Sequence, residues 1–368
     1  MILKGLNVHM KKLRKGYTTG VCAAAAAKAA AVWLTSGSCP ETIEITLNDG
    51  MKRTFPVIRR EPFSCGVVKD AGDDPDVTDG CMVCARIENL TQEEKIKFFG
   101  GEGIGTVTRP GLKIAVGEPA INPAPRAYIT RSVREVIGSH GADITLSIPG
   151  GAILAERTFN PRLGIEGGLS ILGTTGIVNP MSEEAVKESL VLELSMHAEE
   201  GTNLMVLCVS GAGERLFKTL YPDISSVMQM SNFTGFMLDQ CVERGISKIL
   251  IFGGAGKLTK LAADIMNTHS HIAGGAREVI CTHAALLGGG QDLIRRLFAM
   301  NTTQEAETVL KQHHMETVWR SVVKEAKCCC EKRCRNTAQV EIIMTGAQQS
   351  IIAVTEGAEQ LLKTFRKG

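Results

Sequence analysis

The stretch Leu13 to Leu34, LRKGYTTGVCAAAAAKAAAVWL, limits the fold more than any other part of the chain. Alanine is the strongest helix former, and a helix whose side chains are mostly methyl groups lets neighbouring backbone approach closely. The segment is therefore expected to be a central helix, buried on most sides. A short basic lead and Gly16-Tyr17-Thr18-Thr19-Gly20 precede it, so a polar glycine turn sits on the helix N-terminus. Thr18 or Thr19 can cap the first free amides, and the helix end adds partial positive charge, a combination that suits an anion. The plainer reading is a capped core helix with no ligand.

A chain of 368 residues is long enough for about two domains, each with its own core. Hydrophobic residues at 44%, charged residues at 22%, and 39 glycines against 4% aromatics fit a globular α/β enzyme with many tight turns and exclude a disordered chain. A net charge of +2 gives no general field for nucleic acid. The twelve cysteines are too sparse for a disulfide scaffold, and the N-terminus lacks the apolar run of roughly 7 to 15 residues that a signal peptide needs. Reduced thiols and a cytoplasmic location are the expectation. The longest apolar run, Cys22 to Leu34, is interrupted by Lys28 and falls short of the ~20 residues that span a bilayer, so no membrane partner is expected.

Beyond the helix, Thr42–Leu47 and Lys52–Ile58 read as a hairpin about Asn48-Asp49-Gly50. Two short strands, Cys65–Lys69 and Cys81–Glu88, flank a loop holding five aspartates in ten positions: Asp70, Asp73, Asp74, Asp76 and Asp79. A cation loop, a general base and carboxylates orienting a ligand compete there with a turn held by its own Asx bonds. The EF-hand spacing fails, because the sixth-position glycine and terminal glutamate are missing. Lys97–Gly101 with Gly103–Thr108 is expected to be a second hairpin. Asn122 with Arg126, and Asn160 with Arg162, are polar corners suited to carboxylates or to plain solvation. Gly173-Thr174-Thr175-Gly176 then echoes the first threonine turn, and both turns are expected to face one cleft.

From Asn203 the pattern becomes apolar strands alternating with helices, as in a doubly wound parallel sheet. Leu204–Val209 runs into Ser210-Gly211-Ala212-Gly213, a strand near Val227 into Ser231-Asn232, and Ile249–Phe252 into Gly253-Gly254-Ala255-Gly256-Lys257. Ligands of such sheets bind at the carboxyl ends of the strands. Neither glycine turn is a P-loop or a full GxGxxG. His269 and His271, at i and i+2, do not share a helix face, so hydrogen bonding by Thr268 and His269 is favoured over a metal pair. A helix from about Gln304 to Lys327 is expected to end in an exposed turn at Cys328-Cys329-Cys330 to Cys334, with no metal. The fold expected is an α+β domain over residues 1–200, a Rossmann-like α/β domain over 201–335, and a strand and helix over 336–368 that pack back on the first domain.

The blocks LRKGYTTGVCAAAAAKAA, VVKDAGDDPDVTDG, GTVTRPGL, VGEPAINPAPR, NPRLGIEGGLSILGTTGIV, MSNFTG and GAGKLTKLA with THS, in that order, resemble the cobalt-precorrin-5B C1-methyltransferase family, also called cobalt-precorrin-6A synthase. The resemblance implies methyl transfer from S-adenosyl-L-methionine to ring carbon C1 of a corrin precursor in the anaerobic cobalamin pathway, with cobalt present only as part of the substrate. It implies substrate contacts from Tyr17, Thr18, Thr19, Asn122, Arg126, Asn160, Arg162, Thr174, Thr175, Thr268 and His269. Methyl-donor contacts would come from Gly211, Gly213, Ser231, Asn232, Gly253, Gly254, Gly256 and Lys257, and a carboxylate role in catalysis from Asp70, Asp73, Asp74 and Asp76. The chain departs from the family pattern at Gly254, where histidine is usual, at Ala212, where asparagine is usual, and at Ala273–Arg277. Two other classes fit the residues: a GHMP-like small-molecule kinase, using the first threonine turn for ATP, and a non-catalytic tetrapyrrole-binding protein. A homo-oligomer is compatible with the sequence.

Overall fold

The computed structural model describes residues 13–365. The chain forms two compact units, residues 1–185 and 186–368. Both mix helices with sheets.

In the first unit the elements follow as β1 (Gly16–Tyr17), α1 (Thr19–Ser36), β2 (Thr42–Thr46), β3 (Lys52–Pro56), β4 (Ile58–Arg59), β5 (Ser64–Val68), β6 (Met82–Thr91), β7 (Ile96–Gly100), β8 (Thr106–Val107), α2 (Pro123–Ile137), β9 (Gly141–Ser147), α3 (Gly151–Ala155), β10 (Ile165–Glu166) and β11 (Ile177–Val178). A sheet in the order β4-β5-β6-β9-β7 carries the core, with β2-β3 as a separate hairpin. Helix α1 packs against α2, β5 and β6, and Ala23–Ala27 and Ala29–Ala31 are wholly buried. By length and composition α1 is apolar enough to cross a membrane, yet 72% of it is buried inside the protein. Its one cation leaves the core by reaching out, Lys28 Nζ meeting Glu135 Oε2 at 2.5 Å and the Glu44 carbonyl at 2.8 Å. The expected hairpin at Lys97–Thr108 does not form. Instead β7 runs parallel to β9, and β8 pairs with β10, because Gly101-Glu102-Gly103 carries the chain away from β7.

Helix α4 (Glu183–Glu199) spans the boundary at residue 185. The second unit continues with β12 (Leu204–Cys208), α5 (Gly211–Leu220), β13 (Val227–Gln229), α6 (Thr234–Glu243), β14 (Lys248–Gly254), α7 (Ala255–Leu261), α8 (Ala276–Leu286), α9 (Gln291–Phe298), α10 (Thr303–Gln312), α11 (Thr317–Arg333), β15 (Gln339–Thr345), β16 (Ile351–Val354) and α12 (Ala358–Phe365). The sheet order is β13-β12-β14-β15-β16, parallel except for β16. The chain moves outward from β12 to β13 and then crosses to β14 on the other side. In open α/β sheets, ligands bind at such a reversal, beyond the carboxyl ends of the strands, here β12 and β14.

Three expectations are corrected here. The terminal strand and helix do not return to the first unit: β15 lies alongside β14 from Lys248↔Gln339 to Gly254↔Thr345, and α12 packs on the same sheet. A largely apolar strand such as Val340–Met344, whose one charged residue is Glu341, needs a covered central place, which this sheet provides. The long helix expected from Gln304 breaks into α10 and α11 at His313–Met315, where His314 takes φ 54°. The cysteine cluster is not an exposed turn, since Cys328–Cys330 lie within α11 and Cys330 and Cys334 are buried.

Gly16 shows how tightly the first unit closes. A Cβ there would fall 2.0 Å from the Ala71 carbonyl carbon, and backbone cannot give way. At Gly254 nothing lies within 4 Å and φ is −73°. Gly16→Ala should therefore cost about 3 kcal/mol or more in urea denaturation, while Gly254→Ala stays within about 0.5 kcal/mol of the parent.

Candidate functional site

The two threonine turns meet directly. β1 pairs antiparallel with β11, Gly16 opposite Val178 and Tyr17 opposite Ile177. Thr18 N–H donates to the Gly176 carbonyl at 3.0 Å, and Gly20 N–H to the Leu172 carbonyl at 2.9 Å. Thr18 caps α1 through Oγ1, which accepts from Val21 N–H at 3.3 Å. Thr19 Oγ1 accepts from Leu172 N–H at 3.0 Å and donates to the Leu172 carbonyl at 3.3 Å. Gly173 allows the approach, because a Cβ would meet Thr18 at 2.4 Å and its φ is +119°. Thr18 and Thr19 are 6% and 4% exposed. The second and third amides of α1 are thus occupied by the protein itself. The turn is a structural seam, and the anion cradle expected at this helix end is filled by Leu172.

The aspartate loop docks on the same seam, and its carboxylates hold it together. Tyr17 N–H donates to the Asp70 carbonyl at 2.7 Å, and Asp73 exchanges bonds with Arg14 through its amide and its Oδ2. Asp70 Oδ1 accepts from Gly72 N–H at 2.9 Å, Asp74 Oδ1 from Met181 N–H at 2.8 Å, and Asp79 Oδ1 from Ala71 N–H at 2.8 Å. The Arg14 guanidinium bonded to Asp70 holds that carboxyl below the usual carboxylate range. Burial would push the Asp76 carboxyl up, but the Lys69 ammonium at 2.6 Å and the two bonds from Thr78 outweigh it and hold the group low. A general base needs a carboxylate that can gain a proton near neutral pH, and Asp70 and Asp76 are held the other way. All four carboxylates, Asp70, Asp73, Asp74 and Asp76, are tied into one Asx-bonded scaffold.

The two Asn/Arg corners are also engaged. Arg126 spans the Ile121 carbonyl at 2.9 Å and Glu118 at 3.1 Å, and its guanidinium lies over Phe98. Asn122 sits at the N-cap of α2, its N–H donating to the Ile171 carbonyl at 3.0 Å and its own carbonyl accepting from Arg126 N–H. Asn160 is buried between the Gly168 carbonyl and Ser170. Arg162 lies over the Phe159 ring. What the seam leaves open is a cleft of about 380 Å³ lined by Lys15, Tyr17, Asp49, Met51, Arg53 and Thr175, among others. Thr174 and Thr175 are exposed at this end, Thr175 Oγ1 accepting from Ile177 N–H at 3.3 Å. Lys15 and Arg53 were not legible as site residues: one belongs to a basic lead, and the other is a charge on a hairpin strand, each a common surface feature.

In the second unit the expected residues lie at or after the ends of the strands β12, β13 and β14 or in the loop after α7. Ser210 caps α5 by accepting from Gly213 N–H at 3.0 Å, beside half-buried Gly211. Ser231, at φ 56°, and Asn232 follow the end of β13. Asn232 is tied to Thr268, whose N–H donates to the Asn232 carbonyl at 2.9 Å. Lys260, buried and invisible as a site residue in sequence, donates to the carbonyls of Thr268 and Ala273 at 3.1 and 2.8 Å and so shapes the His269 loop. His269 Nδ1 accepts from His271 N–H at 3.2 Å, which in the neutral ring puts the proton on Nε2. Gly253 is explained by packing, since a Cβ would strike Val209 at 2.0 Å, whereas Gly254 and Gly256 are exposed. Lys257 Nζ donates to the Val209 carbonyl at 2.9 Å, joining the ends of β12 and β14; burial first, then Lys260, pushes its pKa below the usual lysine value.

The second unit is thus a mostly parallel α/β sheet with Ser210, Asn232 and the Lys257 ammonium beyond its strand ends, on the side where sheets of this class bind small molecules. Family models for CbiD match residues 6–180, and for the CbiD C-terminal domain residues 267–356. The cobalt-precorrin-5B C(1)-methyltransferase of Alkaliphilus metalliredigens is 42% identical over 97% of this chain and 96% of that protein. That of Methanocaldococcus jannaschii is 40% identical over 82% and 85%. A crystal structure of cobalamin biosynthesis protein CbiD from Archaeoglobus fulgidus overlays with a TM-score of 0.40 at 24% identity, covering 73% of this chain and 84% of that one. The chain belongs to the CbiD family.

Lys69 is 1% exposed at its side chain, so its pairing with Asp76 governs the loop's pH response. A carboxyl held below its unfolded value, about 3.9, contributes stability that is complete above that pH and is lost as the pH falls through the depressed value. Asp76→Asn should cost about 3 kcal/mol at pH 7 by urea denaturation, because Lys69 loses its anion. The cost should shrink on acidification below about pH 4.

Proposed function

We propose that this chain transfers a methyl group from S-adenosyl-L-methionine to C1 of cobalt-precorrin-5B, giving cobalt-precorrin-6A in the anaerobic cobalamin pathway. The observation that carries this is identity of 42% across 97% of the chain to a protein of that name. The second unit acts in this reading as a Rossmann-like donor domain. Its crevice suits an amino-acid nucleoside: exposed Gly254 and Gly256 leave room for close approach, and Asn232 and Ser231 offer polar groups at the adjacent strand end. Lys257 supplies a cation for the donor's carboxylate.

Bound S-adenosyl-L-methionine supplies a sulfonium methyl to a carbon nucleophile. The protein then mainly aligns the two and shields them, so no covalent enzyme intermediate is required. Lys257, anchored on Val209, fixes the donor's orientation, and His269 offers Nε2–H as a further hydrogen-bond donor in the same unit. Cobalt enters with the substrate. The kinase reading loses its footing, because the α1 amides that would receive phosphate are bonded to Leu172 and Thr18.

Isothermal calorimetry should show binding of S-adenosyl-L-methionine and none of magnesium-ATP, and incubation with cobalt-precorrin-5B should add one methyl by mass spectrometry. ATP binding without S-adenosyl-L-methionine binding would overturn the proposal. Lys257→Met should weaken S-adenosyl-L-methionine about tenfold, the worth of one charge-assisted bond.

A further inference from the structure

The cleft beside the β1–β11 seam has a composition that the seam itself does not require. Its floor is apolar: the Tyr17 ring, held edge-on against Phe55 at 4.8 Å between centroids, with Met51 and Ile177 beside it. Its rim carries two cations. Lys15 is exposed and makes no ion pair among the described residues, while its neighbour Arg14 is taken up by Asp70 and Asp73. Arg53 spends one bond on the Lys52 carbonyl at 2.9 Å and a weak one on the Met51 sulfur at 3.5 Å, and no carboxylate pairs with it among the described residues. The single acid of the rim, Asp49, already accepts from Met51 N–H at 2.9 Å within the hairpin turn.

An apolar floor with unpaired cations at its edge fits a ligand that is flat and apolar in the middle and acidic around its periphery. A volume of about 380 Å³ accommodates one edge of a macrocycle and its acid side chains. We propose that this cleft recognises the peripheral carboxylates of the tetrapyrrole, with Lys15 and Arg53 each taking an acid side chain and Tyr17 lying against the adjacent ring edge. The proposal rests on the methyltransferase reading for the identity of the ligand. It places substrate recognition outside the polar corners at Arg126 and Asn160, whose groups are already engaged. Arg53 serves better than lysine would, because its planar fork meets a carboxylate through two parallel bonds.

The test uses the full chain. Arg53→Glu should raise KM for cobalt-precorrin-5B about tenfold or more, with kcat within about twofold and S-adenosyl-L-methionine affinity unchanged, and Arg53→Lys should recover part of the loss. The retained kcat also reports that the variant is folded. In the unaltered protein, uroporphyrin, which bears acid side chains all round the ring, should bind by absorbance titration and protect Arg53 from phenylglyoxal. Unchanged KM in Arg53→Glu, or uroporphyrin bound without protection of Arg53, would overturn the assignment. Failure of the unaltered protein to methylate would instead remove the methyltransferase reading, and the uroporphyrin experiment does not depend on it.

Discussion

Everything at the open end of the first unit depends on the backbone pairing between the start of α1 and the Leu172–Val178 segment. Two main-chain bonds, from Thr18 and Gly20, and a reciprocal pair through the Thr19 hydroxyl bring chain segments more than 150 residues apart into one layer. The aspartate loop is then laid on that layer through Tyr17 and Arg14. Each of these contacts is at backbone distance, which is why glycine stands at 16 and 173. Buried alanines allow it from the other side, since a larger side chain on α1 would hold α2 and β6 away.

The seam also explains which parts of the site were legible in the sequence. A buried central helix at Thr19–Ser36, the Asn48–Gly50 hairpin and the strand–turn pattern of the second unit follow from local composition and periodicity, and they formed as expected. The pairing of the two threonine turns was foreshadowed by their echo. Their role was not, because Thr-Thr-Gly before a helix reads alike whether its amides face a ligand or another strand. Only the position of Leu172 decides, and that is a long-range fact. The same holds for the five aspartates, whose partners are the backbone amides of Gly72, Arg14, Met181, Thr78 and Ala71 and the side chains of Arg14, Lys69 and Thr78. The place of β15 was misread for a related reason: an apolar strand states that it is covered on both faces, and not which sheet covers it.

Polar residues in this chain therefore divide by whether a protein partner has already claimed them. In the first unit Thr18, Thr19, Asn160, Arg126 and the aspartates are claimed, and Lys15 and Arg53 carry no acid partner among the described residues. In the second unit the claimed groups build the frame. Ser210 caps a helix, Lys260 shapes the Thr268 loop, and Lys257 ties two strand ends. What the frame leaves exposed is the turn at Gly254 and Gly256, with His269 half-buried, at a strand-order reversal, the position where an open parallel sheet accepts a small molecule.

That division is open to one direct measurement, amide hydrogen exchange read by mass spectrometry with and without S-adenosyl-L-methionine. Amides bonded within the seam, over residues 16–20 and 172–178, should be protected already and gain nothing, while residues 210–214, 231–234 and 253–257 slow on addition of the donor. Slowing confined to 16–20 and 172–178, with the strand ends of the second unit unchanged, would contradict this account and return the threonine turns to the role of ligand cradle.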